Sequence, residues 1–144
     1  MRKRGERVRA YRSGRVAEAL VALLLRLKGH RIVARRYATP VGEIDLVALK
    51  GKRLAFVEVK RRKTADDAAY SVTAKQRRRI VRAAQYWLAS HPAFAGHDIA
   101  FDVVVVVGDA EIVEADGVAE GDDLAYRVVG GLFAVTGVHM EFAF

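Results

Sequence analysis

The stretch GEIDLVALKGKRLAFVEVK, Gly42 to Lys60, decides the fold. It reads as two β-strands, Glu43 to Lys50 and Arg53 to Lys60, joined at Gly51-Lys52. A two-residue loop with Gly first suits a type II′ turn. Lys50 then faces Arg53, Asp45 falls opposite Glu58, and Glu43 falls opposite Lys60. Residues two apart share a strand face, so Glu58 and Lys60 project together while Val57 and Val59 take the other face. Directly opposed side chains have Cβ atoms about 4.5–5.5 Å apart. Two carboxylates at that distance repel unless a cation sits between them, and a divalent metal on oxygen ligands is one solution. An exposed sheet face with a Glu43–Lys60 salt bridge is the other.

Working outward, residues 14–28 read as a first helix. Ala17, Val21, Leu24, Leu25 and Lys28 lie near helical spacing, with Ser13 as its N-cap and Gly29 as its stop. Glu18 sits on or beside this apolar stripe. A carboxylate facing a sheet needs a partner, because an isolated buried charge is very costly. It either reaches the same metal or lies at the stripe edge, paired with Arg15 or Arg26.

His30 to Tyr37 reads as another strand. A second helix is expected over 74–89, with Thr73 and Gln76 at capping-box spacing and Pro92 beyond its end. Asp102 to Val107 contains five consecutive valines, the mark of a strand buried on both faces. Glu111 to Asp116 reads as a short strand, Leu124 to Val129 as helix or strand, and Val138 to Phe144 as extended. This order predicts a single α/β domain over residues 1–144 with a mixed sheet flanked by helices.

Charge is divided along the chain. Residues 1–82 hold 24 basic and 7 acidic side chains, a net of +17. Residues 83–144 hold 1 basic side chain, Arg127, and 10 acidic ones, a net of −9. The basic part predicts a polyanionic partner, nucleic acid ahead of a membrane. On the second helix Lys75, Arg78, Arg79 and Arg82 form one stripe, which Arg61, Arg62 and Lys63 extend. Such a stripe tracks phosphates, giving affinity without sequence information.

Other chemistries lack their residues. With no cysteine there is no disulfide scaffold, Cys-ligated zinc, iron–sulfur cluster or Cys nucleophile. No GxSxG elbow, Walker loop or GxGxxG occurs. His30, His91, His97 and His139 lack metal-ligand spacing and read as surface or loop residues. Tyr86 and Trp87 read as core, and Asp102 as structural. No stretch approaches the roughly 20 apolar residues that span a bilayer. The basic N-terminus is not followed by a long apolar segment, so a cytoplasmic location is the expectation.

An aspartate followed about a dozen residues later by Glu-x-Lys on adjacent strands resembles the PD-(D/E)XK nuclease superfamily. Several segments narrow the likeness: Ala17-Glu18, Lys28 to Ile32, Arg36-Tyr37, Gly42 to Leu46, Phe56 to Lys60, Lys75 to Arg78, Tyr86 to Leu88 and Phe101 to Val104. Together they resemble the YraN family, bacterial predicted endonucleases similar to archaeal Holliday junction resolvases, over about residues 13–107. The resemblance implies a restriction-endonuclease-like core and a Mg²⁺- or Mn²⁺-dependent endonuclease acting on DNA, with branched DNA as one candidate substrate. It implies Asp45 and Glu58 as metal ligands, with Glu18 and the Val59 carbonyl completing the shell. Lys60 would orient or deprotonate the attacking water, and Lys75 would touch the phosphate.

The chain departs from that pattern at Arg61, where the family usually has Thr, and at Ala100, where it often has Arg. Its segment after Asp116 is longer, so residues 117–144 read as a C-terminal extension. A non-catalytic nucleic-acid-binding module on the same fold is the alternative function. A homodimer is compatible with either.

Overall fold

The computed structural model describes the backbone of residues 2–62, 73–107, 111–113, 126–129 and 132–136, and side chains within 14–62 and 73–106. The element order is α1 (Arg2–Leu27), β1 (Arg31–Thr39), β2 (Gly42–Lys50), β3 (Arg53–Arg62), α2 (Ala74–Ser90), β4 (Asp98–Val107), β5 (Glu111–Val113), β6 (Tyr126–Val129) and β7 (Leu132–Thr136). A 3₁₀ turn, Pro92–Phe94, leads from α2 toward β4.

Local chemistry accounts for most boundaries. Gly51 has φ +58 and Lys52 is not in the positive region, the pattern of a II′ turn. The capping box at α2 is complete: Gln76 N–H donates to Thr73 Oγ1 at 3.2 Å, and Thr73 N–H donates to Gln76 Oε1 at 3.0 Å. α1 ends in a Schellman motif, with His30 N–H on the Leu25 carbonyl, Gly29 N–H on that of Arg26, and Gly29 at φ +88.

Its start differs from expectation. α1 runs through Ser13 back to Arg2, so Ser13 is not its N-cap. The segment before it is rich in arginine, a good helix former, and has no proline to stop the helix. β4 begins at Asp98, five residues before the valine run, because the whole of β3 templates it from Arg53↔Asp98 to Arg62↔Val107. Of the stretch 124–129, expected as helix or strand, Tyr126–Val129 is strand β6, and residues 124–125 lie outside the described residues. β7 is a strand the sequence reading did not anticipate. Residues 114–116 and 138–144 lie outside the described residues.

The sheet order is β1-β2-β3-β4-β5-β7-β6, with β7 also pairing β4. β1–β2 and β2–β3 are antiparallel, and β3–β4 is parallel. A parallel pair needs a long crossover, and α2 lies within this one. The architecture is therefore α/β with a mixed sheet between two helices.

Each face is covered by one helix. Ala17, Val21, Ala22 and Leu25 of α1 pack on Leu46, Ala48, Ala55, Val57, Ala100, Val104 and Val106. Ala83, Ala84 and Trp87 of α2 pack on Ile44, Val47, Leu54, Phe56 and Phe101. Val103 to Val106 are all buried, as a strand covered on both faces requires. Tyr86, expected in the core, is instead 47% exposed, because it lies off the α2 face that carries Trp87. Trp87 is fully buried, edge-on to Phe56 at 5.6 Å and stacked on His91 at 4.0 Å. Removing so large a buried ring leaves a cavity as well as losing transfer energy, so Trp87→Ala is expected to cost about 3–5 kcal/mol, measured by urea unfolding against wild type.

Candidate metal centre

The candidate residues meet where the β2–β3 ladder ends. Its register runs from Lys50↔Arg53 to Leu46↔Val57, as the hairpin predicts. The pleat breaks immediately beyond. Ile44 belongs to the α2 cluster and Leu46 to the α1 cluster, whereas residues two apart in a regular strand share a face. Asp45 lies between them. The neighbouring strand is irregular at the same level: β1 pairs Arg35↔Leu46 and Tyr37↔Ile44, and the intervening Arg36 has φ +52. That left-handed conformation costs a non-glycine residue roughly 1–2 kcal/mol. Local irregularities of this kind re-aim side chains and are common beside active sites.

The break brings Asp45 to α1. The carboxylates of Glu18, Glu43 and Asp45 all lie within 4.8 Å of one another. Asp45 Oδ2 accepts the Val59 N–H at 2.8 Å, which ties β2 to β3 past the last paired residues. Arg36 Nε lies 3.2 Å from Glu18 and 3.8 Å from Glu43. The partner of Glu18 is thus Arg36, brought from β1, although Arg35 and Arg15 also act on it electrostatically.

On the α2 side stands a second group. Glu58 is the buried charged residue among those described. Its Oε1 receives Lys60 Nζ at 3.0 Å and Arg79 Nη2 at 3.1 Å. The expected opposition of Glu43 to Lys60 is not formed. The ladder stops short of these residues, and Lys60 turns to the carboxylate on its own strand face. Asp45 touches both groups, since it also interacts directly with Glu58. A recess lined by Glu43, Ile44, Phe56, Glu58, Ile80 and Ala83 opens beside them.

The electrostatics follow from this layout. Burial, then the charge of Glu58, pushes the Asp45 carboxyl up to about 7, against the lowering pull of the Val59 N–H. Burial also raises the Glu18 carboxyl, opposed chiefly by Arg36. Asp45 therefore has acids on two sides and a single backbone donor. Clustered carboxylate oxygens suit a hard divalent cation such as Mg²⁺ or Mn²⁺. Glu18, Glu43 and Asp45 fit such an ion directly, with Glu58 adjoining through Asp45. Glu43 is the member that sequence reasoning missed as a ligand. Its adjacency to Ile44-Asp45 was the available signal, but regular pairing placed it against Lys60. For Val59, the structure shows the role of its N–H.

The basic residues divide. Lys75, Arg78 and Arg82 are exposed along α2. Arg79, expected in the same stripe, is half-buried and turned inward onto Glu58. Gly42 makes this possible: at φ +141 it lies against the Arg79 side chain, whose Nη1 is 2.5 Å from where a Cβ would stand. Arg61 and Arg62 are half-buried, and Arg62 Nη1 donates to the Arg61 carbonyl. Lys63 lies outside the described residues. Asp102 forms a two-oxygen contact with Arg53 at 3.0 and 3.2 Å, a structural link from β4 to β3. His91 Nδ1 pairs with the Trp87 carbonyl at 2.7 Å. No described helix is long and apolar enough to cross a membrane.

Fold and site together define an α/β protein whose mixed sheet carries a cluster of acidic residues flanked by a basic helix. Residues 17–106 match the family model described as "Uncharacterised protein family UPF0102", and the chain belongs to that family. It is 56% identical over 101 residues to a UPF0102 protein of Rhodopseudomonas palustris strain BisB18, covering 70% of this chain and 75% of that one. It is 52% identical to UPF0102 protein bll0669 of Bradyrhizobium diazoefficiens, over 70% and 76% of the two chains. A third relative, from Parvibaculum lavamentivorans, is 55% identical over 98 residues, 68% and 74% of the two chains.

The Asp45 shift has a testable sign. Its folded value of about 7 lies above the ordinary 3.8. Its contribution to stability is fully present below about pH 4 and is lost as pH rises through 7. In chelator, wild type is expected to lose stability from pH 4 to 8 relative to Asp45→Asn, by on the order of 2 kcal/mol. Urea unfolding across that range measures it, and a millimolar divalent cation should remove the difference.

Proposed function

We propose that this protein is a metal-dependent endonuclease that hydrolyses phosphodiester bonds in DNA, with branched, Holliday-junction-like DNA as its candidate preferred substrate. The observation that carries the reading is the junction of Asp45 with Glu58 at the end of the β2–β3 ladder. Glu18 and Glu43 stand on one side of it and Lys60 on the other. The likeness of these residues to the PD-(D/E)XK pattern supports the same chemistry. The fold class would then be restriction-endonuclease-like.

Glu18, Glu43, Asp45 and Glu58 are the residues that would hold Mg²⁺ or Mn²⁺. When bound, the cation would supply charge neutralisation on the phosphate and acidify a water at neutral pH. The chain's own groups do the rest. Val59 N–H fixes one oxygen of Asp45. Glu58 holds the Lys60 ammonium at 3.0 Å, which stations a positive charge where negative charge develops on the phosphate. In this role Lys60 orients the attacking water and stabilises the departing charge. Lys75, Arg78 and Arg82 present a phosphate-tracking face on α2. The cellular location proposed is the cytoplasm.

The basic face exists whatever the carboxylates do, and this keeps the non-catalytic binding module as the second reading. A cleavage assay separates the two. Wild type, Asp45→Asn and Lys60→Ala are incubated with labelled four-way junction, flap, duplex and single-stranded DNA, with Mg²⁺, Mn²⁺ or EDTA. The expected result is metal-dependent cutting by wild type, lowered at least about 100-fold in either variant, with DNA binding retained. Salt-sensitive binding with no cutting by wild type would overturn the nuclease and leave the binding module.

A further inference from the structure

Glu58 carries two cations on one of its oxygens. Lys60 Nζ and Arg79 Nη2 both lie on the same oxygen, Oε1, at 3.0 and 3.1 Å. One carboxylate charge is thus met by two cations. If Arg79 leaves, Glu58 remains paired with Lys60. Arg79 is therefore the cation that can move without leaving a buried charge alone, the costly outcome for a side chain only 8% exposed.

Arg79 also has somewhere to go. Its side chain is 34% exposed, so it is not sealed into the core as Glu58 is. Lys75, Arg78 and Arg82, within one turn on either side, are exposed. A nucleic-acid backbone following those three residues passes within reach of Arg79. Arginine is suited to this transfer, since its planar fork fits carboxylate and phosphate alike. The inward position in turn depends on Gly42. Its φ of +141 and missing Cβ let the Arg79 guanidinium lie across the start of β2.

We infer that Arg79 is a transferable counter-ion that neutralises Glu58 in the free protein and passes to a substrate phosphate when nucleic acid docks on α2, releasing Glu58 toward the divalent cation. The inference rests on the nuclease reading for its phosphate half. Its other half, competition between Arg79 and the cation for Glu58, stands on the free protein alone. It makes α2 a sensor as well as a docking surface, because the acidic centre gains its full ligand set only with the polyanion in place.

The test measures Mn²⁺ binding to the metal-free full chain by titration calorimetry, without DNA, for wild type, Arg79→Ala, Arg79→Lys and Gly42→Ala. Circular dichroism confirms that each is folded. Removing the competing cation should tighten Mn²⁺ binding about three- to tenfold in Arg79→Ala, with Arg79→Lys close to wild type. Gly42→Ala should tighten it as well, though by less, because a methyl group there displaces the guanidinium without removing its charge from α2 but also strains the backbone at φ +141. It gives an independent answer if Arg79→Ala folds poorly. On the DNA cut best by wild type, Arg79→Ala should lower kcat about 10–100-fold with KM little changed, and Arg79→Lys should restore part of that loss.

Unchanged or weaker Mn²⁺ binding in both Arg79→Ala and Gly42→Ala overturns the inference. So does a raised KM at unchanged kcat, which would make Arg79 a simple phosphate contact like its exposed neighbours. If wild type cuts no DNA while Arg79→Ala binds Mn²⁺ more tightly, the nuclease reading and the phosphate half fall together. The competition at Glu58 would then stand on the calorimetry.

Discussion

The site depends on bringing Asp45 and Glu58 into contact at the end of a β-ladder. Burial disfavours the charged form of Asp45, and the neighbouring Glu58 carboxylate disfavours it further. Both effects push the Asp45 carboxyl up, to about 7. Around it the structure sets out opposing charge in two groups. Arg36 answers Glu18 and Glu43 on the α1 side, while Lys60 and Arg79 answer Glu58 on the α2 side. Asp45 belongs to both, and it accepts a hydrogen bond from the Val59 N–H. A centre arranged this way is short of positive charge at one atom pair and well supplied around it. Under the proposed function, this is where a small hard cation would be held.

Holding such a centre requires a rigid frame, and the two helices provide it. α1 seals one face of the sheet through Ala17, Val21, Ala22 and Leu25, and α2 seals the other through Ala83, Ala84 and Trp87. Glu18 and Arg79 each sit near the buried stripe of their own helix and so reach the centre from opposite faces. The strained Arg36 backbone is tolerated because β1 is paired with β2 on both sides of it. The parallel register of β3 with β4, ten residues long, keeps Glu58 and Lys60 on a strand that cannot slip.

Much of this was legible in the chain because it is decided locally. The capping box at Thr73 and Gln76 depends on residues three apart, and it formed as read. The turn at Gly51 and the II′ geometry depend on one glycine. The hairpin register followed from that turn and held through Leu46↔Val57. The valine run announced a strand covered on both faces, and Val103 to Val106 are buried accordingly. Ser13 misled because a good capping residue is no boundary when the residues before it also favour helix. Tyr86 misled because adjacency to Trp87 says little about facing, as consecutive helix positions point about 100° apart.

By itself, then, the sequence determined the kinds of element, the hairpin register, the basic character of α2 and the acidic residues at the centre. All of these rest on short spacings, turn chemistry and periodicity, which act within a few residues. The tertiary structure alone decided that the pleat breaks at Asp45, that Glu43 joins Glu18, and that Arg36 adopts φ +52 between them. It also decided that Arg79 turns inward over Gly42 to Glu58, while Lys75, Arg78 and Arg82 remain outside. These outcomes depend on helices clamping both faces of a sheet from distant parts of the chain. A strand that must bury Ile44 on one side and Leu46 on the other cannot keep a regular alternation between them. The side chain in between is aimed by packing, beyond the reach of spacing along the chain.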